Sequence, residues 1–216
     1  MYINKFHESK NTKWYHGTPD ARGILENGLS HRKESVRYIK DLELYNTLRE
    51  KLRIYREVDE DKYFDALDKI GKTKGDYTYD IPIYMSDNFS VAKSYSTDKS
   101  PFDYQNSVPK VFTLSVDSGK TLVIDAYGDR FRMLNLEHIK RGFVKSGINI
   151  TKIEDIISRF NFWVKGENMS TDTLAAIAHY LGFDCVDVNG VYDSYNGGHI
   201  KSTIRMVFDI NRISFL

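Results

Sequence analysis

The chain has 216 residues, 41% of them hydrophobic and 28% charged, which is a globular composition long enough to bury a core and excludes a disordered tail. A formal net charge of +1 gives no chain-wide electrostatic case for nucleic acid or an anionic membrane. The single cysteine, Cys185, excludes an internal disulfide and a multi-cysteine zinc site; with no signal-like N-terminal run and no window of membrane-span length, the expectation is a cytoplasmic protein without a membrane partner or a metal.

The first readable element is Trp14-Tyr15-His16-Gly17-Thr18. Residues 13–17 read as a strand and 19–27 as a helix, with Gly28 as its C-terminal stop. Gly17 leaves the backbone open to close approach by a ligand, and His16 offers a hydrogen bond in either protonation state. A plain strand-to-turn junction with an incidental histidine accounts for the same residues. Residues 31–75 change character: Leu42, Tyr45, Leu48, Leu52 and Tyr55 recur at helical spacing, and Tyr63, Leu67 and Ile70 mark a second amphipathic helix. The acidic run Glu57 to Asp61 reads as a solvated face, and Gly71, Lys72, Lys74 and Gly75 as a loop. This segment is expected to be a helical insertion in a single domain spanning 1–216.

Residues 81–86 read as a short strand with Pro82 at its start or on an edge. Asp87 to Ser90 is a turn rich in N-cap residues, followed by a helix from Ser90 to Ser96 that carries Ala92 and Tyr95. Pro101 to Pro109 is a polar, aromatic loop. Lys110–Val116 and Thr121–Asp125 are strands on either side of the turn Asp117 to Lys120. From 133 to 181 the pattern is helical: Thr151 to Glu154 reads as a capping box, with Ile153, Ile156, Ile157 and Phe160 on one face. Ser170 or Thr171 caps a last helix with a stripe of Leu174, Ile177, Ala178 and Leu181, ended by Gly182. Phe183 to Val188 is a buried strand in which Cys185 is an apolar filler, Asn189-Gly190 a hairpin turn into Val191-Tyr192, and Asp193 to His199 a loop. Thr203 to Phe208 is the last strand. The sum is an α+β fold with a mostly antiparallel or split sheet flanked by helices.

Three separated pieces carry a resemblance: Tyr15-His16-Gly17-Thr18 with its helix ending Glu26-Asn27-Gly28-Leu29; Ile83-Tyr84-Met85-Ser86 with Ala92 and Tyr95 after it; and the strand Ile204 to Phe208 running on through Ile213. In order and spacing these resemble the ADP-ribosyltransferase superfamily of the diphtheria-toxin and poly(ADP-ribose) polymerase type, most of all small bacterial and phage domains. The likeness covers 14–29, 81–125 and 171–214 and leaves 31–75 and much of 126–165 unexplained. It implies a split antiparallel sheet flanked by helices, NAD as substrate, release of nicotinamide and transfer of ADP-ribose to a macromolecular acceptor, protein or nucleic acid, by a toxin-like or phage-encoded effector. His16 would bond ribose hydroxyls, Gly17 would hold the nicotinamide carboxamide through its backbone, and Thr18 would add a ribose contact. Tyr84 would line the nicotinamide pocket with Tyr95 stacked from the other side, and Ser86 would bond the carboxamide.

The sequence departs from the family at one point: the position of its strand-end glutamate holds Ile204, with Ser202, Thr203 and Arg205 around it and Asp193 the nearest acid. A different residue, assistance by the substrate, or binding without transfer each accommodates this. The loop around Tyr192, Tyr195, His199 and Lys201 would read the acceptor, stacking on a base or meeting a protein side chain. Two other readings stand beside the transferase. One is an RNA 2′-phosphotransferase-like enzyme, which shares His-Gly-Thr and Gly28-Leu29-Ser30 but whose Arg-x-His pattern is missing here. The other is a non-catalytic NAD- or ADP-ribose-binding module.

Overall fold

The computed structural model describes residues 13–97, 107–160, 164–193 and 200–216. Its centre is a mixed seven-stranded sheet in the order β12-β5-β1-β4-β11-β10-β6. The strands are β1 (Trp14–Thr18), β4 (Ile83–Ser86), β5 (Lys110–Val116), β6 (Thr121–Asp125), β10 (Cys185–Asp193), β11 (Ile200–Val207) and β12 (Ile213–Phe215). Neighbours are antiparallel except β10 and β6, which run parallel. The two strands expected on either side of the 117–120 turn end on opposite sides of the sheet, β5 next to one edge and β6 at the other.

One junction in the sheet differs from the rest. β1 pairs with β5 along all five of its residues, from Trp14↔Leu114 to Thr18↔Lys110, but with β4 only at Tyr15↔Ser86. Beyond that pair the β4-side edge of β1 has no strand partner among the described residues, so the three strands β12-β5-β1 diverge from the four strands β4-β11-β10-β6. Arg205 spans the junction. Its guanidinium forks onto both Asp187 carboxylate oxygens at 2.6 Å, donates to Ser118 Oγ at 2.8 Å and stacks 4.3 Å over the Trp14 ring. Asp187 belongs to one part of the sheet, Trp14 and the turn after β5 to the other.

One face of the sheet carries the larger core. Against it pack α5 (Leu136–Lys145) through Ile139 and Phe143, and α6 (Ile150–Arg159) through Ile153, Ile156 and Ile157. Phe160 joins them. α7 (Thr171–Tyr180) is buried from Thr173 to Ala178, as a helix apolar nearly all round should be. α4 (Phe89–Ser96) covers β1 on this face, with Val91 in the same core. A smaller cluster of Trp14, Met85, Phe112, Leu114, Cys185 and Val207 backs the sheet. Cys185 is buried as expected, and desolvation pushes its thiol up to about 12.

Several expectations are corrected. The first helix is short, α1 (Arg22–Asn27), although Gly28 ends it at φ 75° with its N–H on Ile24 O. Residues 31–75 are not purely helical: α2 (Leu42–Tyr55) and α3 (Glu60–Lys72) are flanked by β2 (Lys33–Ile39) and β3 (Lys74–Asp80), which form a separate antiparallel ribbon. The supposed glycine-lysine loop is the end of α3 and the start of β3. The capping box at Thr151 is displaced, because Asn149 caps α6 through its side chain to Thr151 N–H. The 133–181 region also holds a small sheet of β7 (Leu134–Asn135), β8 (Val164–Lys165) and β9 (Asn168–Met169).

Asn189-Gly190 makes no hairpin: β10 continues through it, with Gly190 at φ 66° where the register to β11 slips between Val188 and Val191. Opposite it Asn189 stands in parallel register with Asp125, so β6 holds the strand straight while the extra residue bulges out. Asp193 is therefore a buried strand end, not part of a loop. Most of the loop expected between 101 and 109, and Tyr195 and His199, lie outside the described residues. No helix among the described residues is long and apolar enough to cross a membrane.

Candidate functional site

A cavity of about 560 Å³ opens where α4 and α7 leave a gap over the diverging strands. That size suits a small-molecule site. Tyr84, Ser86 and Ile204 form its floor; alternation along β4 and the Ser86↔Ile204 pairing put all three on one face. Tyr15, His16 and Gly17 of β1 make one side. Val91, Ala92 and Tyr95 of α4 make a wall, the start of α7 another, and Asp193 closes the end of β10. His16, Gly17, Tyr84, Ser86, Tyr95, Asp193 and Ile204, all singled out from sequence, thus meet in one place. Thr18 does not. Its hydroxyl donates to Asp20 O at 3.0 Å and accepts from Asp20 N–H, shaping the turn before α1.

His16 reaches across the divergence, its Nδ1 lying 2.8 Å from the carbonyl oxygen of Tyr84. A carbonyl only accepts, so Nδ1 carries the hydrogen. Burial lowers the His16 pKa below 6.5 and favours the neutral ring. Nε2 is then an acceptor suited to a hydroxyl. Ser86 Oγ accepts from Asn88 N–H at 3.1 Å, which leaves its own hydrogen free to donate.

Gly17 has a second reason to be glycine. An added Cβ would overlap the carbonyl oxygen of Ala92 and lie 2.7 Å from its carbon and 3.2 Å from Ser96 N. The missing side chain is what lets α4 lie directly on β1.

Two tyrosine–carboxylate pairs frame the cavity. Tyr84 donates to Asp172 Oδ1 at 3.1 Å, and Tyr95 donates to Asp193 Oδ2 at 2.5 Å. Burial raises both phenols above their ordinary range, so both remain protonated donors at neutral pH. Desolvation also raises Asp193, with the Tyr95 hydrogen bond and the charge of Arg132 opposing it. Asp193 is thus a more basic carboxylate than one in water.

Three polar or aromatic lining residues escaped the sequence reading. Asp172 sits in the first turn of α7 beside its cap Ser170; Phe131 meets the Tyr84 ring edge-on at 5.8 Å; Arg132 follows it at the rim. The capping pattern at Ser170 pointed to the place of Asp172, while no local pattern marks Phe131 or Arg132. Ile204 is 3% exposed and apolar, so the floor itself carries no carboxylate. No family model, curated protein or solved structure matches the chain.

Proposed function

We propose that the protein is an NAD-dependent mono-ADP-ribosyltransferase that releases nicotinamide and transfers ADP-ribose to a protein or nucleic acid, with the finer fold that of the ADP-ribosyltransferase family. One observation carries this reading. The residues assigned to the dinucleotide from two separated segments, His16 and Gly17 in one and Tyr84, Ser86 and Tyr95 in the other, line a single cavity. The divergence of β1 from β4 accords with a split sheet and leaves β1 backbone groups open to a carboxamide.

Neutral His16 accepts from a ribose hydroxyl through Nε2. Ser86 donates to the carboxamide oxygen, and Tyr84 and Tyr95 supply aromatic surface to the flat ring. The bond from C1′ to the nicotinamide nitrogen breaks with its electron pair going to nicotinamide. Positive charge grows on the ribose, and the acceptor's oxygen or nitrogen bonds to C1′ and loses its proton. With Ile204 at the family's glutamate position, Asp193 is the carboxylate that faces the developing charge and takes that proton. Tyr95 holds it in place and burial raises its basicity. Asp172, on Tyr84, adds a second negative group to the wall.

The alternative of a module that binds NAD without transferring it rests on Ile204. The phosphotransferase reading is weaker, because among the described lining residues Arg132 is the only cation beside a neutral histidine.

Incubation of the purified protein with NAD, with and without cell extract, should release nicotinamide at a rate that falls about a hundredfold in Tyr84→Ala and in Asp193→Asn. Tight NAD binding without release would favour the module, and neither binding nor release would end both readings. Labelled NAD followed by protease or nuclease digestion identifies the acceptor class.

Binding also has an expected pH dependence. Because burial lowers the His16 pKa below 6.5, the neutral ring prevails in the folded protein at and above that value. NAD affinity should be constant from pH 8 down to about 6.5 and weaken only below it, as protonation turns Nε2 from acceptor to donor. The same sign holds for stability: this histidine's contribution is complete above its unfolded pKa and is lost as the pH falls. Calorimetric titration should show the acid limb of binding disappear in His16→Gln; a limb retained there would assign it to another group.

A further inference from the structure

Charge in the cavity wall is unevenly placed. Asp193 is buried at the inner end and Asp172 is exposed at the start of α7, and each is engaged by a tyrosine hydroxyl, Asp172 by Tyr84 and Asp193 by Tyr95. Arg132 is exposed at the rim and forms no ion pair with a described carboxylate. Three cationic side chains near the sheet are neutralised by ion pairs: Arg205 on Asp187, Lys145 on Asp125, Arg212 on Asp184. Arg132 nevertheless lines the same cavity as Asp193 and Tyr95, and its charge opposes the burial that raises both groups.

The backbone that presents it is pinned on both sides. Phe131 N–H donates to Tyr192 O at 3.0 Å, Met133 N–H to Arg130 O at 2.9 Å, and Leu134 pairs with Met169 in the small sheet. Phe131 itself is packed against Tyr84. The result is a guanidinium without an ion-pair partner among the described carboxylates, presented at the lip of an aromatic cavity whose inner end holds the buried Asp193. A planar fork of donors in that setting matches the paired oxygens of a phosphate, which would be repelled deeper in.

We infer that Arg132 binds the pyrophosphate of the nucleotide, so that the site selects a dinucleotide over its nucleoside half. The inference rests on the NAD reading above and assigns the specificity within it. The nicotinamide end lies among Tyr84, Tyr95 and Ser86, and the chain of the ligand leaves the cavity past Arg132.

Calorimetry with four probes, NAD, nicotinamide mononucleotide, nicotinamide riboside and inorganic pyrophosphate, on the wild type and on Arg132→Ala and Arg132→Lys, tests it. Losing a charge-assisted fork should weaken NAD about tenfold or more, abolish the advantage of NAD over the riboside, and leave riboside binding unchanged. Lysine, a point charge without the fork, should restore part of the loss. The wild-type affinity for NAD should fall as salt is raised, and that of Arg132→Ala should fall less. NAD binding equal in the wild type and Arg132→Ala overturns the inference and leaves the NAD reading intact. Equal weakening of NAD and riboside also overturns it, because Arg132 would then act through Asp193. A wild type that binds none of the nucleotide probes overturns both.

Discussion

Gly17→Ala should lower stability by more than about 3 kcal/mol and abolish nicotinamide release. The argument is geometric. The new methyl would overlap the Ala92 carbonyl oxygen and meet its carbon at 2.7 Å, and these are helix backbone atoms with no rotamer to escape into. Overpacking a core costs about 1–3 kcal/mol when side chains can move, and more when only whole elements can. α4 has to lift from β1, taking Tyr95 with it and loosening the bond that holds Asp193. Urea denaturation reads the first effect and nicotinamide release the second. An alanine variant with a wild-type midpoint would show that α4 does not rest on β1 as described.

Arg205→Ala should destabilise by about 3–5 kcal/mol, the range for breaking a buried pair. It leaves Asp187 unpaired with only 14% of its side chain exposed, removes the donor to Ser118 and uncovers Trp14. The double variant Arg205→Met, Asp187→Leu should recover much of that loss, since the charge left behind, rather than the lost attraction, dominates the cost. Denaturant midpoints of the single and double variants decide this; a double variant as unstable as Arg205→Ala would locate the energy in the Trp14 stacking instead.

What could be read from sequence divides along a physical line. Where burial repeats at a local period, the chain announced itself: Leu42 to Tyr55 lie in α2, Lys110–Val116 and Thr121–Asp125 are strands to the residue, and Ile153, Ile156 and Ile157 are the buried face of α6. β2 and β3 were missed because a two-stranded ribbon buries only one face. In Lys74–Asp80 that face is Tyr77 and Tyr79 among glycine and charges, which resembles a loop. Asn189-Gly190 carries a hairpin's residues, but a parallel neighbour at Asp125 decided the outcome, and tertiary pairing leaves no local trace. The site divides likewise. His16 and Gly17 lie together on β1, and Tyr84, Ser86 and Tyr95 on β4 and the helix directly after it, so two short stretches map onto one side, the floor and a wall. Phe131, Arg132 and Asp172 reach the cavity only because α7 and the segment after β6 fold back over the sheet.

The single Tyr15↔Ser86 pair has a thermodynamic corollary. A ladder with one rung offers little resistance to shear, so keeping the two parts of the sheet in register falls to groups that touch both: the apolar cluster of Trp14, Phe112 and Leu114 with Met85, Cys185 and Val207, His16 on Tyr84, and Arg205 with Trp14 and Ser118. A molecule in the cavity would become a third such cross-link, because its walls come from both parts. At a hundred times its dissociation constant, one bound ligand adds about 2.7 kcal/mol to the unfolding free energy. Melting temperature should therefore report occupancy sensitively, and a variant with a weakened Arg205 clamp should depend on ligand for its fold before it loses the means to bind it.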